Sequence, residues 1–119
     1  MRVRCIALAA DNLRLSSGKD DWLTIGHEYV VLAINLPSNR EPQYYVVSEN
    51  QGIPVWQEIS CFEVVDGRIP PCWCVSGYGG GIAIEHTSWS QLSLEDYYNR
   101  KPVAVELFRK IREEIEACK

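Results

Sequence analysis

Long apolar runs are missing from this chain. Nowhere do 18 apolar residues follow one another, so no membrane-spanning helix is expected. The N-terminus, MRVRCIALAADNLRLSSGKDD, has only the short apolar run Cys5 to Ala10 before Arg14 and Lys19, so it lacks the apolar centre of a signal peptide and reads as cytoplasmic. Basic residues are almost absent from the middle of the chain. Residues 20 to 96 carry eleven acids (Asp20, Asp21, Glu28, Glu41, Glu49, Glu58, Glu63, Asp66, Glu85, Glu95 and Asp96) and two bases, Arg40 and Arg68. Phosphate backbones are bound by clustered Lys and Arg, so this deficit argues against nucleic acid and for a basic partner. The two ends carry the opposite excess, ten bases against five acids, and the whole chain has a formal charge of −4.

Metal-binding spacing is also missing. Cys72 and Cys74 have one residue between them, no second pair lies at zinc spacing, and His27 and His86 have no flanking ligand pattern. Neither a metal nor a cofactor is expected. The five cysteines, at 5, 61, 72, 74 and 118, are an odd number and read as buried thiols of a reducing compartment.

What remains is the composition of a folded domain. With 119 residues, 46% apolar and 24% charged, the chain suits one domain with one hydrophobic core. Strand signals fall at 2–9, 28–35, 44–49, 53–58 and 61–66, and on both sides of the glycine cluster in CVSGYGGGIAIEH. In the longest of them, Tyr29 to Ile34 is apolar on both faces, which suits a central strand with a core on one side and a helix on the other. Phe62 and Val64 are expected to point inward, Glu63 and Val65 outward.

The period then changes. Ser93 is an N-cap candidate with Asp96 three residues on, and Pro102 suits the first position of a longer helix. In that helix Ala104, Leu107, Phe108, Ile111, Ile115 and Cys118 form one apolar stripe. The stripe covers an open end of the β part, with dimerisation through it as the alternative. The fold class is thus α+β, mainly β: a small barrel or bent antiparallel sheet over 1–87, with an amphipathic helical segment, 88–119, packed on it.

VRCI (3–6), LTIGHEYVVLAI (23–34) and YYVVSENQGIPVWQEISCFEVVD (44–66) together resemble a loose group of small bacterial and phage proteins. These share a V-x-C-I start, L-T-x-G-x-x-Y-x-V-L, a Y-x-V strand, a glycine turn, a tryptophan strand and F-E-V-V. The resemblance spans about the first 66 residues. It implies an SH3-like barrel and a place in mobile gene neighbourhoods, where some such proteins act as immunity proteins beside toxins. It brings no catalytic residues with it.

The glycine cluster is read as a hairpin turn at Gly79-Gly80-Gly81. A phosphate-binding loop needs a strand on one side, a helix on the other and a cation, and no Lys or Arg occurs between Arg68 and Arg100. A Cys72–His86 catalytic pair requires the hairpin to place the two opposite each other, in acidic surroundings that raise a thiol's pKa. Tyr29, Trp56 and Phe62 are assigned to the core. Trp22, Trp73, Tyr78 and Trp89 lie in or beside loops and are the candidates for exposed aromatics. Tyr44, Tyr45 and Trp56 join them if an aromatic peptide groove exists.

An aromatic beside a carboxylate is a hot spot for a basic, partly apolar partner. The candidate partner-binding residues are therefore Asp20, Asp21 and Trp22 in one cluster, and Trp73, Tyr78, Glu85 and Trp89 in the other. The expected function is non-enzymatic protein binding. A peptide or small-molecule pocket between barrel mouth and helix is the alternative.

Overall fold

The computed structural model describes residues 1–7, 23–48 and 54–117. The candidates Asp20, Asp21 and Trp22, the turn at 50–52 and Cys118 lie outside the described residues. Among the described residues there are eight strands: β1 Arg2–Cys5, β2 Glu28–Val30, β3 Ala33–Pro37, β4 Gln43–Val47, β5 Pro54–Glu58, β6 Phe62–Asp66, β7 Trp73–Tyr78 and β8 Gly81–His86. Two helices follow, α1 Leu94–Tyr98 and α2 Pro102–Ala117. All pairings are antiparallel, in a three-stranded sheet of order β2-β1-β6 and a five-stranded sheet of order β5-β4-β3-β8-β7.

The two sheets are open, and no strand pair joins them among the described residues. This corrects the expected continuous strand over 28–35. The Val31 N–H donates to the carbonyl of Met1, on the small sheet, whereas the Leu32 N–H donates to the carbonyl of Tyr45, on the large one. The chain therefore changes sheet between two fully buried residues. The two-sided apolar pattern has two sources: Val31 and Leu32 sit in the seam, and β3 beyond it is covered on both faces, with Ile34 on the inner face and Ala33, 1% exposed, beside Tyr45 under Trp89.

Residues paired directly across an antiparallel ladder share a face. On the large sheet, Gln57, Tyr44, Ile34, Ile84 and Val75 lie in register on one face, with Trp73 and His86 one step along it. This is the inner face, since Tyr44 stacks edge-on against Phe62 of β6 at 5.6 Å. Tyr29 also meets Phe62, at 6.3 Å, and together with Val3 and Cys5 these rings fill the space between the sheets. Phe62 points inward as expected. Val64 does not bury: it is 52% exposed although it pairs in register with fully buried Val3, because β6 is an edge strand.

The other face carries Trp56, Tyr45, Ala33, Glu85 and Cys74 in one row, and Glu58, Gln43, Asn35, Ala83 and Ser76 in the next. The helices cover one part of it. Trp89 packs edge-on to Tyr45 at 5.7 Å and meets Phe108 of α2, while the Tyr45 and Tyr98 hydroxyls hydrogen-bond at 2.9 Å. Burial, and then the Tyr98 bond, push the Tyr45 hydroxyl well above its ordinary pKa. Ser93 caps α1 by accepting from the Asp96 N–H at 3.2 Å, and α2 begins at Pro102. Ala104, Phe108, Ile111 and Ile115 of the expected stripe are buried. Phe108 reaches the outer-face aromatics, while Ile115 borders Met1, Arg2 and Val30 of the small sheet. Helix α2 thus crosses one end of the two-sheet stack.

The glycine cluster forms a hairpin. Tyr78 pairs with Gly81, leaving Gly79-Gly80 as the turn. Gly81 has φ +151°, and a Cβ there would lie 2.2 Å from the Leu36 carbonyl oxygen. Gly81→Ala is expected to cost about 2–4 kcal/mol in urea unfolding, because both the backbone conformation and the close approach to β3 forbid a side chain. Gly77→Ala, in open space on β7, is expected to stay within about 0.5 kcal/mol of the parent. Equal effects would show that the hairpin tip does not sit against β3.

Candidate functional site

The small sheet carries three of the central carboxylates, and arginines meet all of them. Arg4 bridges Glu63 at 2.5 Å and Glu28 at 3.2 Å, Arg2 reaches Glu28 at 3.9 Å, and Arg68 binds Asp66 at 2.6 Å. The hydrogen bonds from Arg68 hold the Asp66 carboxyl far below the usual range, and those to Glu63 and Glu28 raise Arg4. The acid-rich centre of the sequence is therefore partly neutralised in space by residues from the basic N-terminus and by Arg68.

The large sheet differs. Its strands, AINLP, QYYVV, PVWQE, WCVSGY and GIAIEH, contain no Lys or Arg. Their two carboxylates, Glu58 and Glu85, both fall on the outer face. Neither has a salt bridge among the described residues. Glu85 lies between Ala33 and Cys74, and accepts a long bond of 3.5 Å from the Ser76 hydroxyl. Burial pushes its carboxyl above the ordinary pKa, with the Ser76 bond opposing. Beside Glu58, Glu41 accepts from the Ser60 hydroxyl at 2.8 Å.

Three described candidates gather on this face. Tyr78 is 47% exposed and donates its hydroxyl proton to the Asn35 side-chain oxygen across β8. Glu85 is on the same face of the hairpin, and half-buried Trp89 covers the adjoining Tyr45. Trp73 is a correction: it is only 8% exposed and belongs to the inner face. Alternation along β7 turns it to the core, while Cys72 and Cys74 turn outward. Its Nε1–H is buried and finds no acceptor among the described residues.

Tyr44 and Tyr45 are also buried, so neither lines a groove. The sequence reading missed Asn35, Gln43, Glu58 and Ser76. No local signal marks them, since only the strand register aligns them with Tyr78 and Glu85.

The chemistry of the thiols and histidines is set by burial. Cys5 and Cys61 are buried, and burial, then Glu58, raise the Cys61 thiol to about 11. Cys74 is exposed, contrary to the expectation that all the thiols are buried. His86 does not pair with a cysteine. The Ser88 N–H donates to its Nδ1 at 2.9 Å, so the proton resides on Nε2, which donates to the Glu114 carboxylate of α2 at 2.5 Å. Both ring nitrogens are occupied, and the ring is a tie between β8 and α2, not an available base. Among the described residues no group of three or more His, Cys, Asp or Glu is placed to hold a metal ion.

Cavities between α2 and the strands are small, about 210 Å³ between Tyr29, Leu32, Val47, Arg112 and Glu116 and about 240 Å³ beside Met1, Val30 and Ile115, whereas open hollows of about 450 Å³ and about 350 Å³ lie on the α2 surface around Pro102, Val103 and Leu107. Ligand pockets commonly exceed ~300 Å³.

His86→Ala is expected to cost about 2–4 kcal/mol in urea unfolding. It removes a buried ring and strands the Ser88 N–H. Glu114→Ala, at a side chain that is 60% exposed, is expected to cost about 0.5 kcal/mol or less, since water replaces the carboxylate. The reverse order would show that the carboxylate, not the imidazole, anchors α2. Among known proteins no family model, no curated protein and no solved structure matches this chain.

Proposed function

We propose that this protein is a non-enzymatic binding module whose outer large-sheet face docks a basic, partly apolar segment of a partner protein. The observation that carries the reading is the charge partition. Carboxylates on the small sheet have arginine partners, whereas Glu58 and Glu85 stand on a sheet whose strands hold no Lys or Arg, on the face that also carries the exposed ring of Tyr78. Unneutralised carboxylates steer an approaching cation, and an aromatic beside them supplies contact area at low entropic cost. Blocking a basic toxin or nuclease by occupying its surface is the mode that fits, and it makes this an immunity-type protein. The SH3-like ancestry, bacterial or phage origin and cytoplasmic setting suggested by the V-x-C-I and F-E-V-V patterns belong to the same proposal. The reading includes no nucleic acid, membrane, metal or cofactor. A pocket between the strands and α2 is less favoured, because the spaces there, about 210 Å³ and about 240 Å³, are smaller than ligand pockets commonly are.

The test is an NMR titration of the full chain with a lysine-rich amphipathic peptide at low and high salt. Amide shifts are expected at Asn35, Ser76, Tyr78 and Glu85, weakening as salt rises. Glu58→Gln with Glu85→Gln is expected to weaken binding about fivefold, from two charge contacts of ~0.5 kcal/mol each. Because the Glu85 carboxyl titrates above the ordinary value, acidification is expected to release the peptide at a higher pH than a fully solvated carboxylate predicts. Shifts confined to the small sheet, or salt-independent binding, would reject the surface named here.

A further inference from the structure

We propose that β7 is a self-association edge: two copies pair antiparallel about Val75 and join their large sheets into one continuous sheet. Among the described residues the two sheets present four edge strands. Three carry the residues that keep sheet edges apart. β2 has Glu28, β6 has Glu63 and Asp66, and β5 has Pro54 and Glu58. β7, WCVSGY, has no charge and no proline, and its pairing to β8 runs without a bulge. An uncharged edge meets its own copy without charge in the ladder at any register, whereas each of the other three brings a carboxylate into it.

The register follows from the hydrogen bonds. In an antiparallel ladder, bonded and non-bonded pairs alternate. The Cys72 carbonyl accepts from the Thr87 N–H at 2.9 Å, so Cys72, Cys74, Ser76 and Tyr78 turn their backbone groups toward β8. Trp73, Val75 and Gly77 turn theirs outward. Trp73 spends its N–H on the Pro70 carbonyl at 3.1 Å, leaving its carbonyl available.

These outward groups are symmetric about Val75. A two-fold axis there lets the two Val75 residues exchange both bonds, and each Gly77 N–H meet the Trp73 carbonyl of the second copy. The side chains agree with this register. Val75 is 67% exposed and would meet Val75 of the second copy, and Gly77, with open space around its Cα, would face Trp73. The axis is normal to the sheet, so both acidic faces end on the same side.

Sedimentation of the full chain tests this. Wild type is expected to dimerise, and more tightly as salt rises, because two copies of charge −4 repel at low salt. This is opposite to the salt response of a basic partner, so the failure of one reading is separable from that of the other. Val75→Lys is expected to raise the dimer Kd at least about tenfold, with the far-UV circular dichroism unchanged, because like charges then face each other at an exposed site. Val103→Lys, on the exposed face of α2, is expected to leave dimerisation intact.

Register is read by Ser76→Cys. Pairing about Val75 sets residue 76 opposite Cys74 of the second copy in a non-bonded pair, the closer type. Mild oxidation should therefore join the thiol introduced at position 76 to Cys74 of the second copy, in an intermolecular disulfide that Cys74→Ser abolishes. A wild type that stays monomeric at its highest soluble concentration overturns the proposal. So does a dimer broken by Val103→Lys but not Val75→Lys, or a Ser76→Cys chain that forms no intermolecular disulfide.

Discussion

The structure depends on the passage of the chain between sheets at Val31 and Leu32. One peptide unit away from a bond to Met1, the backbone bonds to Tyr45. Both side chains are buried in the seam, so the crossing is held by apolar burial on each side and leaves its amides paired. Everything placed on the large sheet follows from it: which residues of β3 face Phe62, and therefore which face outward with Tyr45. Shifting the crossing by one residue would exchange the two faces of β3, sending Asn35 into the core and Ile34 to the surface.

Charge is distributed by the same division. Arginines of β1 sit beside the carboxylates of β2 and β6, so the small sheet carries acid and base together. The large sheet carries acid alone, on one face. The polarity of the molecule is therefore a property of sheet assignment more than of total charge, which is modest. Exposed ion pairs such as Arg4–Glu63 add little stability, and their effect here is to leave Glu58 and Glu85 as the unneutralised groups of the β scaffold.

Local signals in the sequence were legible where chemistry is local. Ser93 with Asp96, Pro102 at a helix start, and a glycine cluster between two strands each state a requirement of the backbone within a few residues; the cap and the helix start are found where they were expected, and the hairpin turn is one residue tighter, with Gly81 already in β8. Long-range facts were not. Tyr29 to Ile34 reads the same whether one strand is covered on both faces or two strands meet in a seam. Trp73 beside two prolines looks like a loop aromatic, yet alternation from β7 sends it inward. The acidic centre looked continuous because a linear count cannot see Arg4 fold back onto Glu28 and Glu63. Of the candidate surface, the sequence marked Tyr78, Glu85 and Trp89, while Asn35, Gln43, Glu58 and Ser76 join them only through register.

The hairpin tip has a thermodynamic consequence. Besides its ladder to β8, it is fastened to β3 by the Ser38 N–H on the Gly80 carbonyl and by Tyr78 on Asn35. A strand so fastened has already surrendered its conformational freedom during folding. A body that aligns with it meets a stiff rail and gives up little further entropy of the rail's own, so weak backbone contacts along it are kept nearly whole.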